Sequence, residues 1–194
     1  MSETSFSLLE RLRDNPDEQA WKRLVDLYTP LLRHWLNRYF LPEADAEDLI
    51  QDVMAALVQD LSKFQHNGNP GAFRSWLRTI LLNRLKGYWR SLQGKPQATG
   101  GANLSQNLEQ FEDPSSGLSI LWDTQHDQYV MRQLLQQIEP QVTPTTWEAF
   151  RRVALDGKDE ALVAKELGIS LNAVFIAKSR VLARLRREAK GLID

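Results

Sequence analysis

The stretch Val163-Ala164-Lys165-Glu166-Leu167-Gly168-Ile169-Ser170-Leu171-Asn172-Ala173-Val174 has the spacing of two helices around a tight turn. Ala164 is small enough to let the helices cross closely, and Gly168 can take the left-handed conformation that ends the first. Ser170 can cap the second helix, while Leu167, Ile169 and Val174 supply apolar contacts between the two. The second helix continues through Lys178, Arg180, Arg184, Arg186, Arg187 and Lys190. Many helical hairpins end on glycine, so the turn alone says little. Followed by a basic helix it reads as a helix-turn-helix, whose second helix lies in the DNA major groove. The chemistry is recognition of phosphate and base edges.

A second basic stripe is formed by Arg74, Arg78, Lys86 and Arg90, with Trp76, Asn83, Tyr88 and Trp89 interleaved. Basic side chains bind phosphate without reading sequence, and aromatics can stack on unpaired bases for roughly 1–3 kcal/mol per base. The polar loop Phe64-Gln65-His66-Asn67-Gly68-Asn69-Pro70 precedes the stripe. Framed by Phe64 and Trp76, it could read a base drawn out of the stack. Taken alone, Trp76 and Tyr88 read as core aromatics; Trp89, beside Arg90 and off the apolar face, is the better functional candidate.

Catalysis finds no support. The histidines His34, His66 and His126 are scattered, without metal-ligand spacing or a nucleophile–base pairing, and no glycine-rich phosphate cradle occurs. With no cysteine there is neither a disulfide nor a thiolate metal site. The chain is expected to be a non-enzyme needing no cofactor and no metal.

The elements that must carry these residues read as helices throughout. A short helix is expected from Phe6 to Arg13, broken at Asn15-Pro16. Trp21, Leu24, Tyr28, Leu31, Trp35 and Tyr39 then mark one face of a second, with a kink or restart at Pro30 capped by Thr29. A third opens near Asp45 and carries Leu49, Val53, Leu57, Leu61 and Phe64. The fourth spans about Gly71 to Leu92, burying Phe73, Leu77, Ile80, Leu81, Leu85 and Tyr88. From Gln93 to Thr124, Gly94, Pro96, Gly100, Gly101, Pro114 and Gly117 give linker composition. The linker's Leu104, Leu108, Phe111, Leu118, Ile120, Leu121 and Trp122 are too apolar for a bare spacer and call for something to dock on. Helices are expected over Gln125–Ile138, Pro144–Leu155, Glu160–Leu167 and Leu171–Lys190. The expected fold is all-α: a helical bundle over 1–92, a flexible linker over 93–124 and a helix-turn-helix domain over 125–194.

At 194 residues, 42% hydrophobic and 25% charged, the composition is that of a soluble globular protein. No signal peptide or membrane-spanning apolar run is seen, so a cytoplasmic location is expected. The net charge of −1 hides segregation. Pro42–Asp60 holds six acidic and no basic residues, Arg74–Lys95 six basic and no acidic, Pro96–Asp127 five acidic and no basic. Alternating blocks point to separate partner surfaces.

Asp45-Ala46-Glu47-Asp48-Leu49-Ile50-Gln51-Asp52-Val53, followed by Phe73-Arg74-Ser75-Trp76-Leu77-Arg78-Thr79-Ile80 and Asn83, resembles region 2 of bacterial sigma-70-family factors. The helix-turn-helix ending in Ala177-Lys178-Ser179-Arg180-Val181-Leu182-Ala183-Arg184-Leu185 resembles region 4. A short chain with these two regions alone resembles the extracytoplasmic-function group. The resemblance implies an RNA polymerase specificity subunit, acting at the nucleoid in holoenzyme, with core polymerase and promoter DNA as partners. Members of the group are often held by an anti-sigma factor. Glu47, Asp48, Gln51 and Asp52 would dock on the polymerase clamp. Phe64, Asn67, Arg74, Trp76, Asn83, Trp89 and Arg90 would serve the −10 element and strand opening. Asn172, Phe175, Ile176, Lys178, Ser179, Arg180 and Arg184 would serve the −35 element. The acidic linker would pass through polymerase near the RNA path.

Two features depart from the family's common pattern. Phe175 and Ile176 stand where many members place polar residues, suiting contact with thymine methyls, packing on a further protein, or partial burial. Gly87 inside the fourth helix costs about 1 kcal/mol relative to alanine, marking a bend or a close approach of another backbone. The competing reading is a stand-alone helix-turn-helix regulator, which leaves the acidic and basic-aromatic helices unexplained.

Overall fold

The computed structural model describes residues 7–14, 17–64, 70–92 and 108–193, and every regular element among them is helical. The elements are α1 (Leu8–Asp14), α2 (Glu18–Leu36), α3 (Glu43–Asp60), α4 (Ala72–Leu92), α5 (Gly117–Ile138), α6 (Pro144–Phe150), α7 (Glu160–Leu167) and α8 (Leu171–Ala189). Contacts divide the chain into two units. One is Leu8–Val130 joined by the C-terminal residues from Gly191; the other is built from Met131–Lys190. The boundary thus falls inside α5, after the expected limit at residue 125.

In the first unit α2 is the central element. Asp17 caps it, accepting a bond from the Ala20 N–H at 2.7 Å. Leu24, Leu27, Tyr28, Leu31, Leu32 and Trp35 recur at helical spacing and are all buried. The helix runs through Pro30 without the expected restart. Pro30 and Asp26 both lie on the exposed side, where water can serve the carbonyl that the missing N–H leaves free. α3 packs on α2 and α4 on α3; Leu49, Ile50, Val53 and Leu57 of α3 and Leu77, Leu81 and Leu85 of α4 are buried, and Phe73 of α4 meets Tyr28 with centroids 5.5 Å apart.

The stretch expected to be a spacer is, from residue 108 on, part of this unit. Residues 108–112 are helical, and α5 starts at Gly117. Leu108, Phe111 and Trp122 are buried. Phe111 stacks on Trp35 with centroids 5.3 Å apart, and Trp122 meets the same ring edge-on at 4.9 Å. These are the apolar linker residues whose purpose the sequence left open: they cover an α2 face that α3 and α4 leave bare. Ile120 and Leu121 remain exposed, while Leu104 lies outside the described residues.

In the second unit Thr143 caps α6. The helix then widens into a π turn over Arg151–Leu155, closed by the Asp156 N–H donating to the Arg151 carbonyl at 3.0 Å. Val153, Val163, Ala164 and Val174 form one buried cluster, with Leu167 and Ile169 packed against it, and Leu134, Ile138, Phe150, Val181 and Leu185 are buried as well.

The aromatic seam predicts that the 108–130 segment contributes to the first unit's stability. Phe111→Ala should cost about 3–5 kcal/mol, read as a lower urea midpoint at unchanged helical content.

Candidate nucleic-acid and polymerase interfaces

The helix-turn-helix is built as its residue types require. Asp159 caps α7, accepting from the Leu162 N–H at 2.9 Å, and Ser170 caps α8, accepting from the Ala173 N–H at 3.1 Å. Gly168 ends α7 with φ 66°, in the left-handed region. The turn closes as the Ile169 N–H donates to the Ala164 carbonyl at 3.0 Å. Glu148 grips the preceding segment by accepting from Arg151 at 2.8 Å and Arg152 at 2.6 Å. These two guanidiniums hold its carboxyl down at about 2, and Arg152 also reaches Glu166 of α7 at 2.6 Å.

Asn172, Phe175, Ile176, Ser179 and Arg180 are all exposed. Their i, i+3, i+4, i+7, i+8 spacing puts them on one face of α8. Phe175 is 48% and Ile176 40% exposed, so neither is a core residue. Lys178 is turned inward to Glu160 at 3.2 Å, and half-buried Arg184 bonds to Gln141. Those two contribute to the unit's frame in this state, whereas the five others form a free face.

On α3, Asp48, Gln51 and Asp52 are exposed along one side. Glu47 is tied to Arg33 of α2 at 2.6 Å. Between α3 and α4 lies a cleft of about 320 Å³ lined by Asp45, Asp48, Asp52, Asn83, Arg84 and Arg90. Tyr88 spans one part of it, donating to Asp45 Oδ2 at 2.5 Å. Gly87 also lines the cleft, and a Cβ there would meet no atom within 4 Å. Among the described residues no backbone outside its own helix approaches Gly87, and its missing side chain leaves the cleft open there.

The residues assigned to the −10 element divide into three sets. Phe64 stacks on Trp76 with centroids 4.8 Å apart, and both are half-buried. Their pairing frames the loop whose Asn67 lies outside the described residues. Asn83 and Arg90 are exposed on α4; Trp89 is half-buried edge-on to Tyr88 at 5.2 Å. Arg74 does not face solvent. Its Nη1 donates to Asp127 at 2.7 Å and to the Ile193 carbonyl at 3.3 Å, and its Nε lies 3.4 Å from Asp123. Arg78, expected on the same basic stripe, is buried 3.7 Å from Asp123. The stripe is therefore split: its first two guanidiniums are covered by α5, Lys86 pairs with Glu112 at 2.6 Å, and Arg90 is exposed.

Behind Arg74 runs a polar chain that sequence reading missed. His126 is fully buried. Its Nδ1–H donates to Asp127 at 2.9 Å, and its Nε2 accepts from the Tyr28 hydroxyl at 3.2 Å. A neutral imidazole in this tautomer satisfies both neighbours. Burial pushes its pKa below the ordinary 6.5, against the upward pull of Asp127. The i, i+4 pair Asp123 and Asp127 could have signalled an Arg-facing edge, but nothing in the sequence names the arginines.

Residues 24–95 match the family model described as sigma-70 region 2. The chain is 28% identical over 167 residues to the RNA polymerase sigma factor HrpL of Pseudomonas syringae pv. syringae, a match covering 84% of this chain and 82% of that protein. The first similarity spans α2's buried face through α4, and the second extends over both units. No described helix is long and apolar enough to cross a membrane, and no described group of acidic or histidine side chains could hold a metal ion.

The buried imidazole gives the fold a pH dependence of defined sign. The unfolded chain takes up its proton near 6.5, the native chain only at lower pH. The contribution of His126 is complete above that value and is lost as pH falls through it toward the native pKa. Thermal unfolding of wild type should show this loss on the acid side of 6.5, and His126→Gln should flatten the slope there. An equal slope in both proteins would exclude the assignment.

Proposed function

We propose that this chain, a sigma-70-family factor by its region 2 and by the relative matched along most of its length, works through three surfaces. As a sigma factor it directs promoter-specific initiation by core RNA polymerase and performs no catalysis of its own. The surfaces follow from side-chain chemistry. The exposed edge of α3, with Asp48, Gln51 and Asp52, docks on a basic surface of core polymerase. Glu47 supports that edge through Arg33, and Phe40, 93% exposed just before α3, adds an aromatic anchor of the kind interface cores use.

Strand opening falls to the Phe64–Trp76 stack and its loop. Two adjacent half-buried rings offer a platform for an unpaired base, and Asn83, Trp89 and Arg90 extend the surface along α4. The five-residue face of α8 reads the −35 element. Asn172, Ser179 and Arg180 supply hydrogen bonds to base edges, while Phe175 and Ile176 meet thymine methyls. Lys178 and Arg184 act in the frame and near phosphate. Action at the nucleoid follows from holoenzyme assembly, and an anti-sigma partner would have to cover one of these surfaces. The observation that carries the reading is the coexistence of an open acidic edge and an open recognition-helix face in one sigma-family chain. A stand-alone operator-binding regulator has no use for the first.

Pull-down with bacterial core polymerase tests it. Wild type should bind stoichiometrically, and Asp48→Lys/Asp52→Lys should weaken binding at least about tenfold, roughly 1.4 kcal/mol; equal binding would remove α3 from the interface. Separately, Arg180→Ala should cost about 1–3 kcal/mol on a promoter with the native −35 element. On a scrambled −35 element it should cost little. Equal losses on both would assign Arg180 to phosphate.

A further inference from the structure

We propose that Arg74 and Arg78 form an anion site for nucleic-acid backbone phosphate, and that Asp123 and Asp127 of α5 occupy it as internal competitors. This rests on the promoter-binding reading of α4 and adds a means by which the free chain withholds part of that surface.

The pairing at this site is poorly matched. Arg78 is 7% exposed, yet its Nη1 lacks a hydrogen-bond partner among the described residues, as do Arg74 Nε and Asp123 Oδ1. All three atoms are buried, and they face one another at 3.4 and 3.7 Å, inside ion-pair range without hydrogen-bond geometry. One carboxylate oxygen lies within ion-pair range of both guanidiniums and hydrogen-bonds to neither. Buried donors of this kind are normally satisfied, and each exception calls for a reason. A backbone phosphodiester carries its charge on two non-bridging oxygens set at a tetrahedral angle, with room for one guanidinium fork on each. Only the Asp127–Arg74 contact, at 2.7 Å, is well made.

Docking of this part of α5 does not depend on those carboxylates. Trp122 and Phe111 bury their rings against Trp35, and the Trp122 indole N–H donates to the Arg74 carbonyl at 3.3 Å. The apolar contacts hold the segment, and the aspartates add charge aimed at two arginines. The arrangement is that of a cover whose acidic edge imitates the ligand. Displacing it would return two cations to the start of α4, next to the Phe64–Trp76 stack. Anionic ligand and docked α5 then exclude each other, so nucleic acid favours the open form.

The test uses the full chain and single-stranded DNA of random sequence, with neither polymerase nor promoter, so a chain that failed to join polymerase would still answer it. In fluorescence anisotropy at low salt, Asp123→Asn/Asp127→Asn should bind about tenfold more tightly than wild type. Adding Arg74→Gln/Arg78→Gln should cancel the gain. Affinity equal to wild type, or a gain that survives loss of both arginines, would overturn the proposal. A measurement on wild type decides the matter if the variants do not fold. Saturating DNA should speed amide hydrogen exchange across residues 117–130, and unchanged protection there would overturn the proposal.

Discussion

The first unit depends on one constraint: α2 is apolar around so much of its girth that two layers of helix cannot cover it. Tyr28 and Trp35 have no exposed surface, and each is met on one side by core and on another by the segment from residue 108 to Val130. A tryptophan and a tyrosine left bare would each forfeit several kcal/mol of burial. The segment's aromatic residues are spaced to provide the missing layer, with Phe111 and Trp122 around Trp35 and His126 stacked on Tyr28 at 5.8 Å. Covering the ring of Tyr28 also brings its hydroxyl into the interior, and the His126–Asp127–Arg74 chain is the polar consequence. An apolar demand thereby dictates where two arginines of the basic helix end up.

The second unit solves a different problem. Around the turn of its helix-turn-helix only small and branched residues are buried, Val163, Ala164 and Val174, so the geometry there is set by ends and caps. Gly168 in the left-handed region, the Asp159 and Ser170 caps and the Glu148 grip on two arginines fix the helices around that modest centre. The outcome is a helix, α8, whose outward face carries nothing the unit needs for itself. Exposed side chains at five positions are what the proposed base reading would need, since a residue committed to the frame cannot also search a groove.

Much of this was legible in the chain. Gly168, Ser170 and the apolar trio Leu167, Ile169 and Val174 announced the turn, because a tight turn between helices demands those types locally. The faces of α3 and α4 followed from helical spacing. What failed was anything requiring knowledge of a distant partner. Pro30 looks like a break, yet its exposed position lets the helix continue. Arg74 and Arg78 read as a solvent-facing stripe because their neighbours in sequence are basic. The carboxylates that cover them are far along the chain, in a segment whose glycines and prolines suggested a spacer. The apolar residues within that spacer were the one clue that it had a docking place.

The proposed function requires that promoter DNA open only when this chain and polymerase act together. Permanganate reactivity of unpaired thymines should be measured on a promoter bearing both elements, with this chain alone, core polymerase alone and the two together. Reactive thymines are expected in the −10 element only in the combined reaction, and they should be lost when Phe64 and Trp76 are both replaced by alanine. Tight binding of duplex promoter by the chain alone, with no added reactivity when polymerase is present, would contradict the proposed function.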